Sequence, residues 1–493
     1  MSFSEYGKID ALGIAELVKK REISSKEVCE TAIERIEALN PKINAVITKC
    51  YDKALFDCTK KHEGIFAGVP FLIKDLLCYE AGIPYSMGCK SLKNYMPDHD
   101  SELVKRFKQT GLIILGRTNV PEFGLVVTTE SKAFGPVCNP WNLAYSSGGS
   151  SGGSAAAIAC GMVPMASGND GGGSIRVPAS CCNLFGLKPT RGRNPTGPDH
   201  GELWQGAAVE HILTKTVRDS AAMLDATSGV DMGAPYIIEK PYGSFLEATR
   251  RDPEKLKIAF TTRTLINTDV DNDCIYAVEK MAKLLDSLGH FVCEDSPVID
   301  GFELAKAYFT VYFAEVVMDL LDVSKFLKRS VKRSDVEGLT WFLADIGRLI
   351  RAEEILIAKR CWERAGRIMA NFHLDYDLFL TPTMAYPPVK LGLLMPSNIQ
   401  EIMMYVISKL KLTRTIKNSS LLTRKTLDGL SYTPFTFIAN VTGAPAVSIP
   451  AHFTEYGLPV GVQFIAPFGR EDILFSLSAQ LESELGWDKL CPP

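Results

Sequence analysis

Between Tyr145 and Thr190 the chain reads YSSGGSSGGSAAAIACGMVPMASGNDGGGSIRVPASCCNLFGLKPT, and no ordinary core element is written this way. Two glycine and serine runs, Ser146 to Ser154 and Gly168 to Ser174, read as loops. The segment between them, Ala155 to Ala159, consists of small residues and reads as a short helix. Glycine serves where the backbone takes positive φ or approaches another group closely, and successive N–H groups in such a turn can converge on one anion. Two serine-bearing turns a helix apart therefore predict a site that offers hydroxyls and N–H donors to a substrate.

The rest of the chain alternates strand and helix. Ser24 with Glu27 forms a capping box ahead of an amphipathic helix that Asn40-Pro41 should end, and Ile43 to Thr48 reads as a strand. Gly68 to Asp75 is an apolar strand ending in charge. Asp100 to Thr110 reads as a helix stopped by Gly111, and Leu112 to Leu115 as a buried strand. Helices are expected over Arg218 to Thr227, Asn272 to Leu288 and Asp472 to Leu485. Strands are expected at Leu256 to Phe260, Phe291 to Cys293, Asp377 to Leu380, Ala446 to Ile449 and Val460 to Ile465. This alternation predicts an α/β fold built on a large, mixed, mostly parallel sheet with helices on both faces. The expected organisation is one domain over 1–493, with the more helical region at about 303–426 as a cap or subdomain over the site.

Lys and Arg number 54 against 57 Asp and Glu, so the chain lacks the electrostatic footprint of a protein that binds nucleic acid or an anionic membrane. Its first residues, MSFSEYGKID, hold neither a basic region nor an apolar run, and no apolar stretch is long enough to span a bilayer. The expected setting is cytoplasmic. The 13 cysteines are odd in number and show no C-x-x-C spacing, and the seven histidines show no ligand spacing. Free buried thiols and no metal site are expected.

Three serines compete as nucleophile: Ser150, Ser151 and Ser174. A hydroxyl needs a neighbouring base. One source of that base is a nucleophile elbow, since Gly148 to Gly152 and Gly149 to Gly153 both match G-x-S-x-G. An elbow requires a hydrophobic strand just before it and a downstream histidine. Asn139 to Tyr145 does not read as a strand, and His211, His290, His373 and His452 stand in no marking motif. A second source, the Ser408 and Lys411 pair, lies in a charged helix without companion motifs. The third is Lys74, at the end of an apolar strand, where burial would lower its pKa toward that of a useful base. On an extended backbone Asp75 points the other way and need not restore the lysine's charge.

Lys74 in Gly-Val-Pro-Phe-Leu-Ile-Lys-Asp, the Gly148 to Ser154 loop and Asp-Gly-Gly-Gly-Ser-Ile-Arg at Asp170 to Arg176 together resemble the amidase signature family. The likeness extends to Asn139 to Asn142, Gly186 to Thr190 and Gly457 to Gln463. It implies the family's α/β fold and amide hydrolysis through an acyl-enzyme, with Lys74 as base, Ser150 as a bridging serine on a cis peptide and Ser174 as nucleophile. It further implies that the N–H groups of Gly171, Gly172, Gly173 and Ser174 hold the oxyanion, and that no cofactor is needed. Asp170 and Arg176 are expected to support the loop, and aromatic residues such as Tyr308 and Tyr312 could line an apolar acyl pocket. Asn169 stands where threonine or serine is usual and Gly171 where a side chain is usual, so a looser loop is expected.

The run from Asn194 to His211 resembles the branch of 6-aminohexanoate cyclic dimer hydrolases, which implies a cyclic or linear aliphatic amide as substrate. The other readings are the glutaminase subunit of a tRNA-dependent amidotransferase and an esterase using the G-x-S-x-G serine. The partner expected is a small-molecule amide, with no nucleic acid and no membrane, and with a homodimer admitted as the assembly.

Overall fold

The computed structural model describes residues 3–241, 243–417 and 427–493. The last nine residues of the expected cap region, 418–426, lie outside the described residues. Eleven strands form one sheet: β1 (Val46–Lys49), β2 (Pro70–Lys74), β3 (Ile113–Thr118), β4 (Met165–Asp170), β5 (Phe185–Lys188), β6 (Val209–Thr214), β7 (Lys257–Phe260), β8 (Phe291–Glu294), β9 (Leu378–Pro382), β10 (Ala446–Phe453) and β11 (Pro459–Ile465). Their order is β1-β3-β2-β4-β6-β5-β10-β11-β9-β7-β8. The α/β architecture and the mixed sheet stand. Parallel pairing, however, is confined to β3-β2-β4 on one flank and β9-β7-β8 on the other, while the strands from β4 to β9 through the centre pair antiparallel.

The helices that matter here are α1 (Ser25–Ile43), α2 (Gly152–Ala159), α3 (Arg176–Cys182), α4 (Val217–Thr227), α5 (Asn272–Ser287), α6 (Gly301–Phe326), α7 (Phe437–Thr442) and α8 (Glu471–Leu485). Alternate residues of the central strands separate the two faces. Phe185, Leu187, Val447, Ile449, Val462 and Phe464 pack in one core with α4, α5 and α8. The neighbouring Ser448 and Gln463 turn the other way, toward the face where α3 lies. Along α2 and α3 every residue is buried, and their sequences explain it: small side chains let a helix lie against strands. A Cβ at Gly153, for example, would sit 2.5 Å from the Asn119 carbonyl oxygen.

The capping box is present: Ser24 accepts from Glu27 N–H, and Glu27 reaches back to Ser24 N–H. Among the boundaries that move, two have a clear physical reason. α1 runs past Pro41 to Ile43 and ends on Asn44 at φ 60°, and Asn40 bonds Val46 through both its amide groups, so β1 begins at Val46. Met165–Asp170, half of which reads as loop, is the fully buried strand β4. A Cβ at Gly168 would lie 2.7 Å from Leu213, so close packing on both faces demands the small residues that resemble a loop. Asn142–Ser146 pairs with Cys138–Asn139 in a short ribbon, contrary to the non-strand reading, but Leu143 and Ala144 are exposed and it is not the apolar strand of an elbow.

Candidate active site

β2 and β4 run parallel with Leu72 beside Ala166, so their C-terminal ends, Lys74 and Asp170, open at the same edge of the sheet. In open α/β sheets that edge is where ligands bind. Both residues are fully buried. Lys74 Nζ lies 2.8 Å from Ser150 Oγ, 2.9 Å from Ser151 Oγ and 2.5 Å from Asn169 Oδ1, and Lys74 N–H donates to Ser167 Oγ at 2.7 Å. The peptide bond between Gly149 and Ser150 is cis.

Burial lowers the Lys74 pKa to about 7, against the upward pull of Asp170, Cys78 and Glu210. Near neutrality the side chain is thus an amine for part of the time. Asp75 points to the opposite side, where it accepts from Ser86 N–H and lies 3.9 Å from Arg117. The carboxylate next in sequence therefore leaves the lysine unpaired. Glu210, beneath the site, accepts from Cys78 Sγ at 3.1 Å, and burial pushes its carboxyl up to about 7.

Ser174 stands in the turn after β4 and is half-buried, whereas Ser150 is buried. The two serine loops are tied where Ser151 N–H donates to the Ser174 carbonyl at 3.2 Å. Every carbonyl of the turn has a donor. Asp170 O accepts from Asn440 Nδ2 at 2.9 Å, Gly171 O from Tyr308 Oη at 3.3 Å, Gly172 O from Thr436 Oγ1 at 2.6 Å and Gly173 O from Val177 N–H at 2.7 Å. Because C=O and the next N–H lie on opposite sides of a trans peptide plane, these bonds also aim the N–H groups. The loop is thereby held from α6 and α7, despite the extra glycine at 171.

One expected oxyanion donor is otherwise engaged. Gly173 N–H donates to Asp170 Oδ1 at 2.8 Å, whereas those of Gly171, Gly172 and Ser174 make no bond to that carboxylate. Asp170 also accepts from Ile175 N–H at 3.2 Å and pairs with Arg176. Burial would raise its pKa, but the Arg176 charge and hydrogen bonds, with Asn440, hold it well below the usual carboxylate range. All five Arg176 donors are used: Nε and Nη2 reach Asp170, Nη2 reaches Asn440 Oδ1, and Nη1 reaches Thr436 O and Gln463 Oε1.

The competing bases are elsewhere. His211 bonds Ser220, His290 bonds Gln480, His373 bonds the Tyr376 carbonyl and His452 bonds Asp273. None bonds a candidate serine, and burial lowers the His211 pKa to about 3. Tyr308 and Tyr312 of α6 do face the site, Tyr312 Oη donating to the Leu125 carbonyl one residue past Gly124, which abuts Ser150. Trp204 packs edge-on against Tyr312. Thr436 and Asn440 carry no sequence signal as parts of a site. Ser151 reads in the sequence as a competing nucleophile and lies instead beside Lys74, while Asn169 reads only as a departure from the family's usual residue.

A buried lysine bonded to a serine on a cis peptide, beside a glycine-rich turn with a second serine, is the arrangement of amidase signature enzymes. The family model for amidases matches residues 27–475, and the chain belongs to that family. It is an amide hydrolase, acting on carbon–nitrogen bonds. Among curated relatives, 6-aminohexanoate-cyclic-dimer hydrolase of Pseudomonas sp. (strain NK87) is 34% identical over 97% of this chain and 95% of its own length. The enzyme of the same name from Paenarthrobacter ureafaciens is 35% identical with the same coverage. A solved structure of 6-aminohexanoate cyclic dimer hydrolase complexed with substrate superposes with a TM-score of 0.90 at 34% identity, over 99% of both chains. Among the described residues no helix is long and apolar enough to cross a membrane.

Proposed function

We propose that this chain hydrolyses a small aliphatic carboxamide through a serine acyl-enzyme, with Ser174 as nucleophile, Ser150 as proton relay and Lys74 as base, and that it does so in the cytoplasm. The observation that carries this reading is the 2.8 Å bond from Lys74 Nζ to Ser150 Oγ, both side chains being buried. Burial there leaves the amine available as a base near neutral pH.

Ser174 Oγ–H passes its proton to Ser150 Oγ while Ser150 passes its own to the Lys74 amine. The freed oxygen attacks the amide carbonyl carbon, and the oxyanion faces the N–H groups of Gly171, Gly172 and Ser174. Each such donor contributes about 3 to 4 kcal/mol of transition-state stabilisation in other acyl-transfer enzymes. The proton then returns from Lys74 through Ser150 to the leaving nitrogen, the C–N bond breaks, and water attacks the acyl-enzyme by the same route.

For the substrate, the 6-aminohexanoate cyclic dimer is favoured because two relatives named for it align over nearly the whole chain. The aromatic wall of Trp204, Tyr308 and Tyr312 suits an uncharged aliphatic ring. Purified protein is to be incubated with the cyclic dimer, a linear fatty amide and an aryl acylamide. Ring opening of the cyclic dimer is expected. Turnover of the other two with the dimer untouched removes that substrate, and fluorophosphonate labelling that survives in Ser174→Ala removes the nucleophile.

A further inference from the structure

Lys74 Nζ has three oxygen neighbours, but a neutral amine has two N–H groups and one lone pair. Which neighbour meets the lone pair decides which serine can hand over a proton. Asn169 answers for one direction. Its Nδ2 donates to the Leu76 carbonyl at 3.1 Å, which sets the amide so that Oδ1, an acceptor only, faces Nζ at 2.5 Å. Ser151 answers for a second, because its hydroxyl donates to the Asn169 carbonyl at 3.4 Å and its oxygen then accepts from Nζ at 2.9 Å. Ser150 Oγ, at 2.8 Å, has no other hydrogen-bond partner for its side chain among the described residues.

We infer that Asn169 and Ser151 are positioning residues that take both N–H groups of the neutral lysine and so turn its lone pair onto the Ser150 hydroxyl. The inference rests on Lys74 being the base. It explains how two adjacent serines equally near the lysine differ in role: Ser150 is the one whose proton the amine can receive. Asn169 lies in β4 beside Glu210 of β6, and the groups facing Lys74 from the packed elements are Ser150, Ser151, Asn169, Asp170, Cys78 and Glu210.

The test is the rate at which a fluorophosphonate modifies Ser174, its P–F bond breaking as the serine oxygen bonds phosphorus in the counterpart of acylation, as a function of pH in Asn169→Ala, Asn169→Asp, Ser150→Ala, Ser151→Ala and Lys74→Ala, each checked for folding by thermal unfolding. Removing the Asn169 acceptor weakens the ammonium more than the amine, so Asn169→Ala lowers the midpoint of the pH profile and drops its plateau tenfold or more. A carboxylate there favours the ammonium, so Asn169→Asp raises the midpoint by a unit or more. Ser151→Ala is slowed, and by less than Ser150→Ala. Midpoints of both Asn169 variants that superimpose on the parent overturn the inference, as does Ser151→Ala acylating at the parent rate. Lys74→Ala acylating like the parent overturns instead the reading beneath it. Should Asn169→Ala not fold, the Asn169→Asp midpoint decides alone.

Discussion

Asp170 and Arg176 meet in a two-point ion pair with no solvent exposure, Oδ2 accepting from Nε at 2.9 Å and Oδ1 from Nη2 at 2.8 Å, across the turn that carries Ser174. Removing one partner strands the other charge in the interior, which costs about 3 to 5 kcal/mol. Arg176→Ala is therefore expected to lose stability of that order in denaturant unfolding, and to lose acylation of Ser174 with it. A stability change below about 1 kcal/mol would show that the pair is not what holds the turn.

Lys74 is expected to act as its amine, so acylation should rise with pH through about 7 and level off above it. The same shift bears on stability. An unfolded lysine keeps its proton to about 10.4, so between the two values the unfolded state holds more protons and stability increases with pH. Lys74→Met removes this penalty. It should abolish acylation while raising the denaturant midpoint at pH 7, and a lowered midpoint would contradict the burial argument.

A methyl group at Gly172 would lie 2.3 Å from Tyr308 Oη. Gly172→Ala should therefore reduce kcat for amide hydrolysis at least tenfold, and adding Tyr308→Phe, which deletes that hydroxyl, should restore part of it. At Gly173 the strain has no such relief, since φ is +129° and Thr436 Oγ1 would sit 2.6 Å away. Equal rates for the single and double variants would show that the clash is not the cause.

The Ser24 and Glu27 capping box is remote from the site in role. Ser24→Ala should cost about 1 kcal/mol of unfolding free energy and leave kcat unchanged, as measured by paired denaturation and steady-state assays. Here the cap bonds are the only loss, because both residues are exposed.

Much of the site was legible before the fold. Lys74, Ser150, Ser174, Asp170 and Arg176 stand in short motifs whose chemistry is local. What escaped was contributed by distance or by packing. Thr436 and Asn440 reach the glycine-rich turn from more than 260 positions away, and no local pattern marks them. β4 was half hidden because tight packing on both of its faces calls for the same small residues as a loop. Gly173 reads in the sequence as one of four like N–H donors, and only the fold engages its N–H with Asp170.

By itself the sequence determined the residue types: two serine turns, a lysine at a strand end, and a carboxylate and arginine flanking the second turn. Only the tertiary structure decided how completely Lys74 is cut off from water, and which oxygens surround its nitrogen. The physical reason is that a lysine's basicity follows from desolvation and neighbouring charge, and both are set by strands and helices distant in the chain. The two glycine and serine runs encode the hydroxyls; the sheet beneath them buries Ser150 against Lys74 and leaves Ser174 half-exposed.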